Sequence, residues 1–176
     1  AIAIWRSALA ATPDDAEAAL NLALAQGAAG ELQPAIDGLL ALSRRDGNDP
    51  RIWYELGKLS IRSGDAQRAV DDYLTRALVQ FKRSRDRFGQ AEAINALGIG
   101  YERLGQSADA VEQFSKAVEL RRGLGNRFGE ATSLRNLGNV LAIAGKHVEA
   151  EQALQQARSL HAALGNRSGL ATVEND

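Results

Sequence analysis

A phrase in this chain returns every 40 residues: Arg87-Phe88-Gly89 reappears as Arg127-Phe128-Gly129 and, without its aromatic, as Arg167-Ser168-Gly169. Leu97-Gly98 returns as Leu137-Gly138, Gly105 as Gly145, Ala110 as Ala150 and Ala117 as Ala157, all at the same offset of 40. A fixed period of this size marks a repeat array. Each unit is one supersecondary element that cannot bury its apolar face alone and packs on its neighbours. The functional question then shifts from which residues react to what a row of such units can hold.

Composition says the units are helical. Alanine and leucine are abundant, only 3 of the 176 residues are proline, and aromatics make up 5%. Strong helix formers dominate and strand formers are scarce. The net charge of −1 supplies no global basic field for nucleic acid. No apolar run is long enough to span a membrane and no secretory signal is visible. The absence of cysteine removes thiolate chemistry and leaves the compartment open. With no targeting or membrane segment in view, the expectation is cytoplasmic.

Shorter units precede the long ones. Trp53-x-x-Leu56-Gly57, then Gly64, then Ala69-x-x-x-Tyr73 follow a 34-residue helix–turn–helix pattern. An earlier copy reads Ala19-x-x-Leu22-Ala23, Gly30 and Ala35-x-x-x-Leu39, offset by 34. On these residues the chain resembles the tetratricopeptide repeat (TPR) family, with Tyr101 at a family position that Ser60 fills one unit before. The resemblance implies an all-α fold, a TPR-like α-solenoid of antiparallel helix pairs stacked into a right-handed superhelix. It divides the chain into repeats at 13–48, 49–85, 86–125 and 126–165. Residues 1–12 read as the second helix of a truncated repeat and 166–176 as the first helix of another. An array cut through a repeat at both ends, with no methionine at residue 1, is expected to be a piece of a larger protein.

Helix boundaries are also legible. Thr12-Pro13-Asp14-Asp15 and Asp49-Pro50 read as N-caps followed by a first-turn proline. Asp86, Asn126 and Asn166 precede the recurring arginine and read as N-caps, with Gly125 and Gly165 as left-handed helix stops. Small residues (Gly57, Gly98, Gly138, Ala69, Ala110, Ala150) should let paired helices approach, and Trp53, Leu97, Tyr73 and Phe114 should fill the space between them. The 6 residues that separate the two periods (40 − 34) should lengthen helices rather than links. Ala69 to Ala110 is 41 residues whereas Ala77 to Ala117 is 40. This predicts a π-bulge or an extended connection between Tyr73 and Asp86.

Catalytic constellations are lacking. His147 and His161 have no metal-site spacing and read as solvated surface histidines. Asp14-Asp15 and Asp71-Asp72 are neighbours in sequence that do not share a helix face. The glycines around Gly123 and Gly125 follow a helix, not the strand that a dinucleotide fingerprint needs. The basic run Lys82 to Arg87 reads as a solvated helix end. No catalytic residue, metal or cofactor is expected.

The TPR resemblance implies that the first helix of each pair lines a concave groove that holds peptides. Spacing then selects Arg51, Tyr54, Glu55, Lys58 and Arg62 in one unit; Glu92, Asn95, Ile99 and Arg103 in the next; and Arg135, Asn136, Asn139 and Ile143 in the last. The expected peptide-binding set is Tyr54, Lys58, Arg62, Asn95, Ile99, Arg103, Arg135, Asn136, Asn139 and Ile143. Cations outnumber carboxylates there, and asparagines can both donate and accept. Arg135 with Asn139 resembles part of the carboxylate clamp of chaperone-binding TPR domains, with no second clamp cation in register. Leu137-Gly138-Asn139 resembles the Leu-Gly-Asn motif of 40-residue arrays in signalling scaffolds. The expectation is a non-catalytic interaction module, a regulatory part of a larger protein, whose partner is a protein or an acidic or mixed peptide and not nucleic acid. The alternative is self-association through repeat ends, where Ile2, Ile4 and Trp5 would be exposed.

Overall fold

The computed structural model describes residues 1–165; Asn166, Arg167-Ser168-Gly169 and the expected helix over 166–176 lie outside them. Two compact units divide the chain, the first Ala1–Ser84 and the second from Arg85 on. The first holds α1 (Ile2–Ala11), α2 (Ala16–Ala28), α3 (Leu32–Arg45) and α4 (Pro50–Ser63). It ends in a helix that runs from α5 (Ala66–Arg68) through a π-helical turn (Ala69–Leu74) into α6 (Thr75–Arg83). The second holds α7 (Arg87–Arg103), α8 (Ser107–Gly123), α9 (Arg127–Ile143) and α10 (His147–Ala163). Within each unit every helix packs on the next, and α2 also meets α4 as α7 meets α9. Short links between successive helices make them antiparallel neighbours, the packing of an α-solenoid. Among the described residues no helix is long and apolar enough to cross a membrane.

The two periods differ in helix length. Helices α7 to α10 have 17 residues each, against 13 or 14 in α2 to α4. The extra residues of the long repeat therefore extend both helices, and the links stay short. Asp86 Oδ1 accepts from Gly89 N–H and Asn126 Oδ1 from Gly129 N–H, both at 2.9 Å, so both expected caps form. Gly125 stops α8 at φ +68°, and the Asn126 N–H then donates to the Arg121 carbonyl at 2.9 Å. The cap before α2 is Asp15, not Thr12, and Pro13 is not the first helical residue. Thr12 O accepts from Asp15 N–H at 3.1 Å, which makes a turn with Pro13 at its second position, and Asp15 Oδ1 caps Ala18 N–H at 3.0 Å. Proline's fixed φ suits that turn position as well as it suits a helix start.

Close helix approach rests on the expected small residues. A Cβ on Gly57 would lie 2.4 Å from Leu74 Cδ2, one on Gly98 2.6 Å from Phe114 Cε1, and one on Gly138 2.6 Å from Leu154 Cγ. Ala69, Ala110 and Ala150 are buried opposite them. Tyr73 and Phe114 are buried, and Trp53 stacks on Tyr73 at 6.2 Å while its Nε1 donates to Gly47 O at 2.7 Å.

The extra residue does appear as a π-helical turn, though it begins at Ala69, ahead of the predicted Tyr73. Thr75 Oγ1 donates to the Val70 carbonyl five residues back, at 2.7 Å. The widened turn keeps Ala69, Val70, Tyr73 and Leu74 all buried. A regular α-helix would rotate one of these pairs off the core face.

Candidate peptide-binding faces

In the first unit the expected residues of α4 look onto α2. Leu24, Gly27 and Ala28 of α2 and Glu55, Lys58, Leu59 and Arg62 of α4 enclose a hollow of about 200 Å³. Gly27 allows this approach, since a Cβ there would meet Leu59 Cδ2 at 2.8 Å. Tyr54 stands at the side, edge-on to Phe81 at 6.4 Å, with Lys58 Nζ 4.8 Å from its ring centre. Lys58 also pairs with Glu55 at 2.9 Å, so part of its charge is answered locally. Arg51 is held by both Asp49 (2.7 Å) and Glu17 (3.1 Å), whose hydrogen bonds raise its pKa. Arg62 is exposed at the rim. The hollow thus has an apolar floor and a mixed, cation-rich edge.

In the second unit the expected residues separate into three groups. Arg103 and Ile143 are exposed at helix ends. Ile99 packs against Ala110, Phe114 and Val140, so most of its surface serves the core. Asn95, Arg135 and Asn136 lie together: Asn136 Nδ2 donates to Asn95 Oδ1 at 3.5 Å, and Arg135 Nη2 donates to Asn136 Oδ1 at 3.3 Å. Asn139, half-buried, lies one turn along α9 from Arg135. Asn95 is only 8% exposed, and its oxygen also accepts from Ser133 Oγ at 2.9 Å.

Behind this row sits a residue that sequence reasoning missed. Arg121 of α8 is 3% exposed. Its Nη1 donates to Gly129 O at 2.9 Å and to Ser133 Oγ at 2.8 Å, and its Nη2 to Glu92 Oε1 at 2.6 Å. One guanidinium thereby ties α7, α8 and the start of α9. The signal was available: Ala110, Phe114, Ala117, Val118 and Arg121 continue one helical stripe, and all are buried. Phe81, Arg121 and His161 also occupy one position in successive 40-residue units, and all three are buried.

His161 corrects the reading of both histidines as solvated, because only His147 is exposed. The His161 ring sits edge-on to Phe128 at 6.0 Å, and its Nδ1 is buried without a hydrogen-bond partner. Burial lowers its pKa, and the nearby Arg135 charge lowers it further. The recurring Arg-Phe-Gly is only partly structural. Gly89 and Gly129 are buried under the caps, whereas Phe88 and Phe128 are 56% and 57% exposed.

Tetratricopeptide repeat family models match residues 1–51, 35–87 and 91–163, together nearly the whole chain. The chain belongs to the tetratricopeptide repeat family. Proteins of this family are helical scaffolds for protein–protein interaction, typically without catalysis, and the TPR chain described here is a scaffold of that general kind with protein partners. No curated protein matches its sequence significantly. Among solved structures, MamA is similar at 22% identity and a TM-score of 0.75, covering 93% of this chain and 88% of that one. BtubC from P. vanneervenii is similar at 21% and 0.81, covering 93% and 72%. The apo form of RapI is similar at 15% and 0.79, covering 92% and 63%. These likenesses concern the TPR fold.

Proposed function

We propose that this TPR chain is a non-catalytic regulatory module of a larger protein that holds a peptide segment of a partner against the first-helix faces of its repeats. In this reading the repeats divide at 13–48, 49–85, 86–125 and 126–165. The observation that carries it is the polar row Asn95, Asn136 and Arg135, which crosses from α7 to α9. An extended segment lying across successive first helices would meet such a row along its main chain. Lys58 and Arg62, beside the α2–α4 hollow, favour an acidic or mixed segment. Reversing Arg103 and Arg135 to Glu should abolish partner capture from a lysate and leave the helical circular dichroism unchanged. Capture at the wild-type level would sink the site.

A second reading is self-association through the first helix. It is favoured by α1, which buries no residue and leaves Ile4 68% exposed. Multi-angle light scattering that finds only monomer up to high concentration would argue against it.

A further inference from the structure

The hydrogen bonds around Asn95 and Asn136 have directions that chemistry leaves no freedom to reverse. Arginine can only donate. Ser133 Oγ accepts from Arg121, and its own proton goes to Asn95 Oδ1 at 2.9 Å. From the other side, Asn136 Oδ1 accepts from Arg135, so the Asn136 amide turns its NH2 toward Asn95 Oδ1. Were the Asn95 amide reversed, its NH2 would face the Asn136 NH2 and the two donors would conflict. Both amide oxygens are therefore used inside the protein, which fixes orientations that heavy-atom positions alone would leave open.

A planar amide whose oxygen points inward must point its NH2 the other way. We propose that this face of the second unit presents hydrogen-bond donors only, so the segment it holds meets Asn95, Asn136 and Arg135 with acceptors: main-chain carbonyls and carboxylates. Arg121, buried behind the face, sets this polarity through Ser133 as a positioning residue. The proposal rests on the peptide-binding reading above and narrows it. Asparagine can in general donate and accept, but here only the donating half is on offer. Glu92 does not undo this, because its Oε1 takes the Arg121 charge at 2.6 Å. Ser133 is fully buried and Arg121 nearly so, which leaves water little chance to reorient the relay.

The test uses the 15N-labelled 176-residue chain and two capped octapeptides, one alternating Glu and Ser and the other alternating Lys and Ser. The side-chain NH2 resonances of Asn95 and Asn136 should shift with the Glu peptide and stay in place with the Lys peptide. Asn95→Asp keeps an oxygen toward Ser133 but places an acceptor outside. It should weaken the Glu peptide at least tenfold with circular dichroism unchanged. Ser133→Ala, which cuts the relay without removing a charge, should move the Asn95 NH2 resonances in the free protein and weaken the Glu peptide about threefold. Arg121→Met should do the same, and Arg121→Lys should restore part of both effects. Equal binding of the two octapeptides, or full affinity in Asn95→Asp, would overturn the donor-only polarity while leaving peptide binding intact. Binding of neither would overturn the peptide-binding reading and this proposal with it. Unchanged Asn95 resonances in both Ser133→Ala and Arg121→Met would remove Arg121 from its positioning role.

Discussion

Gly98 sets two effects of opposite sign against each other. It sits in the interior of α7, where replacing glycine by alanine ordinarily gains about 1 kcal/mol of helix propensity. A Cβ there would lie 2.6, 2.7 and 3.0 Å from three ring atoms of Phe114. Phe114 is fully buried against Ala110 and Val140, so its ring has nowhere to retreat. Overpacking of this kind costs about 1–3 kcal/mol, and three contacts on a rigid ring place it near the upper end. Gly98→Ala should therefore lose a net ~2 kcal/mol. Gly123 is the control: it ends α8, and nothing lies within 4 Å of a Cβ built there. Gly123→Ala should gain up to ~0.5 kcal/mol, since only propensity acts and the helix end dilutes it. Urea unfolding followed by circular dichroism would measure both. Equal signs for the two variants, or Gly98→Ala at wild-type stability, would refute the claim that this contact limits the helix spacing. Gly98→Ala combined with Phe114→Leu should be less destabilised than the two single changes sum to, because the ring that clashes is gone.

Three further outcomes follow from named contacts. His161 has a lowered pKa in the folded chain, so the unfolded chain binds more protons just below the ordinary histidine value of 6.5. Its stabilising share is fully present above that pH and is lost as pH falls through the folded value, so thermal melts should show a pH dependence there that His161→Phe flattens. Asp86→Ala and Asn126→Ala each remove one cap on a glycine N–H and should cost about 1 kcal/mol apiece in urea melts. Thr75→Val removes the hydroxyl that satisfies the Val70 carbonyl in the π-helical turn; a loss of about 1 kcal/mol by thermal unfolding is expected, and no loss would mean that water satisfies that carbonyl equally well.

What could be read in the chain, and what could not, divides along one physical line. Caps, glycine stops and helix lengths depend on residues a few positions apart, and Asp86, Asn126 and Gly125 behave as local chemistry requires. Thr12 misled because proline suits two local structures equally well, and the contacts of Asp15 decided between them. The candidate site was legible as a set of exposed polar residues on first helices, but not as a set of orientations. Ile99 carried the right spacing, yet packing drew it against Phe114.

By itself, the sequence determined the repeat, the helices and the family, because a recurring apolar stripe needs only its own neighbours to declare itself. Only the tertiary structure decided what the shared position of Phe81, Arg121 and His161 does. Burial of Arg121 depends on Glu92, 29 residues before it, and on Ser133, 12 residues after it. Those groups belong to other helices, and no period along the chain encodes that they converge. Arg-Phe-Gly shows the same division: its glycine answers to the local cap, while the exposure of its phenylalanine was set by how the helices pack.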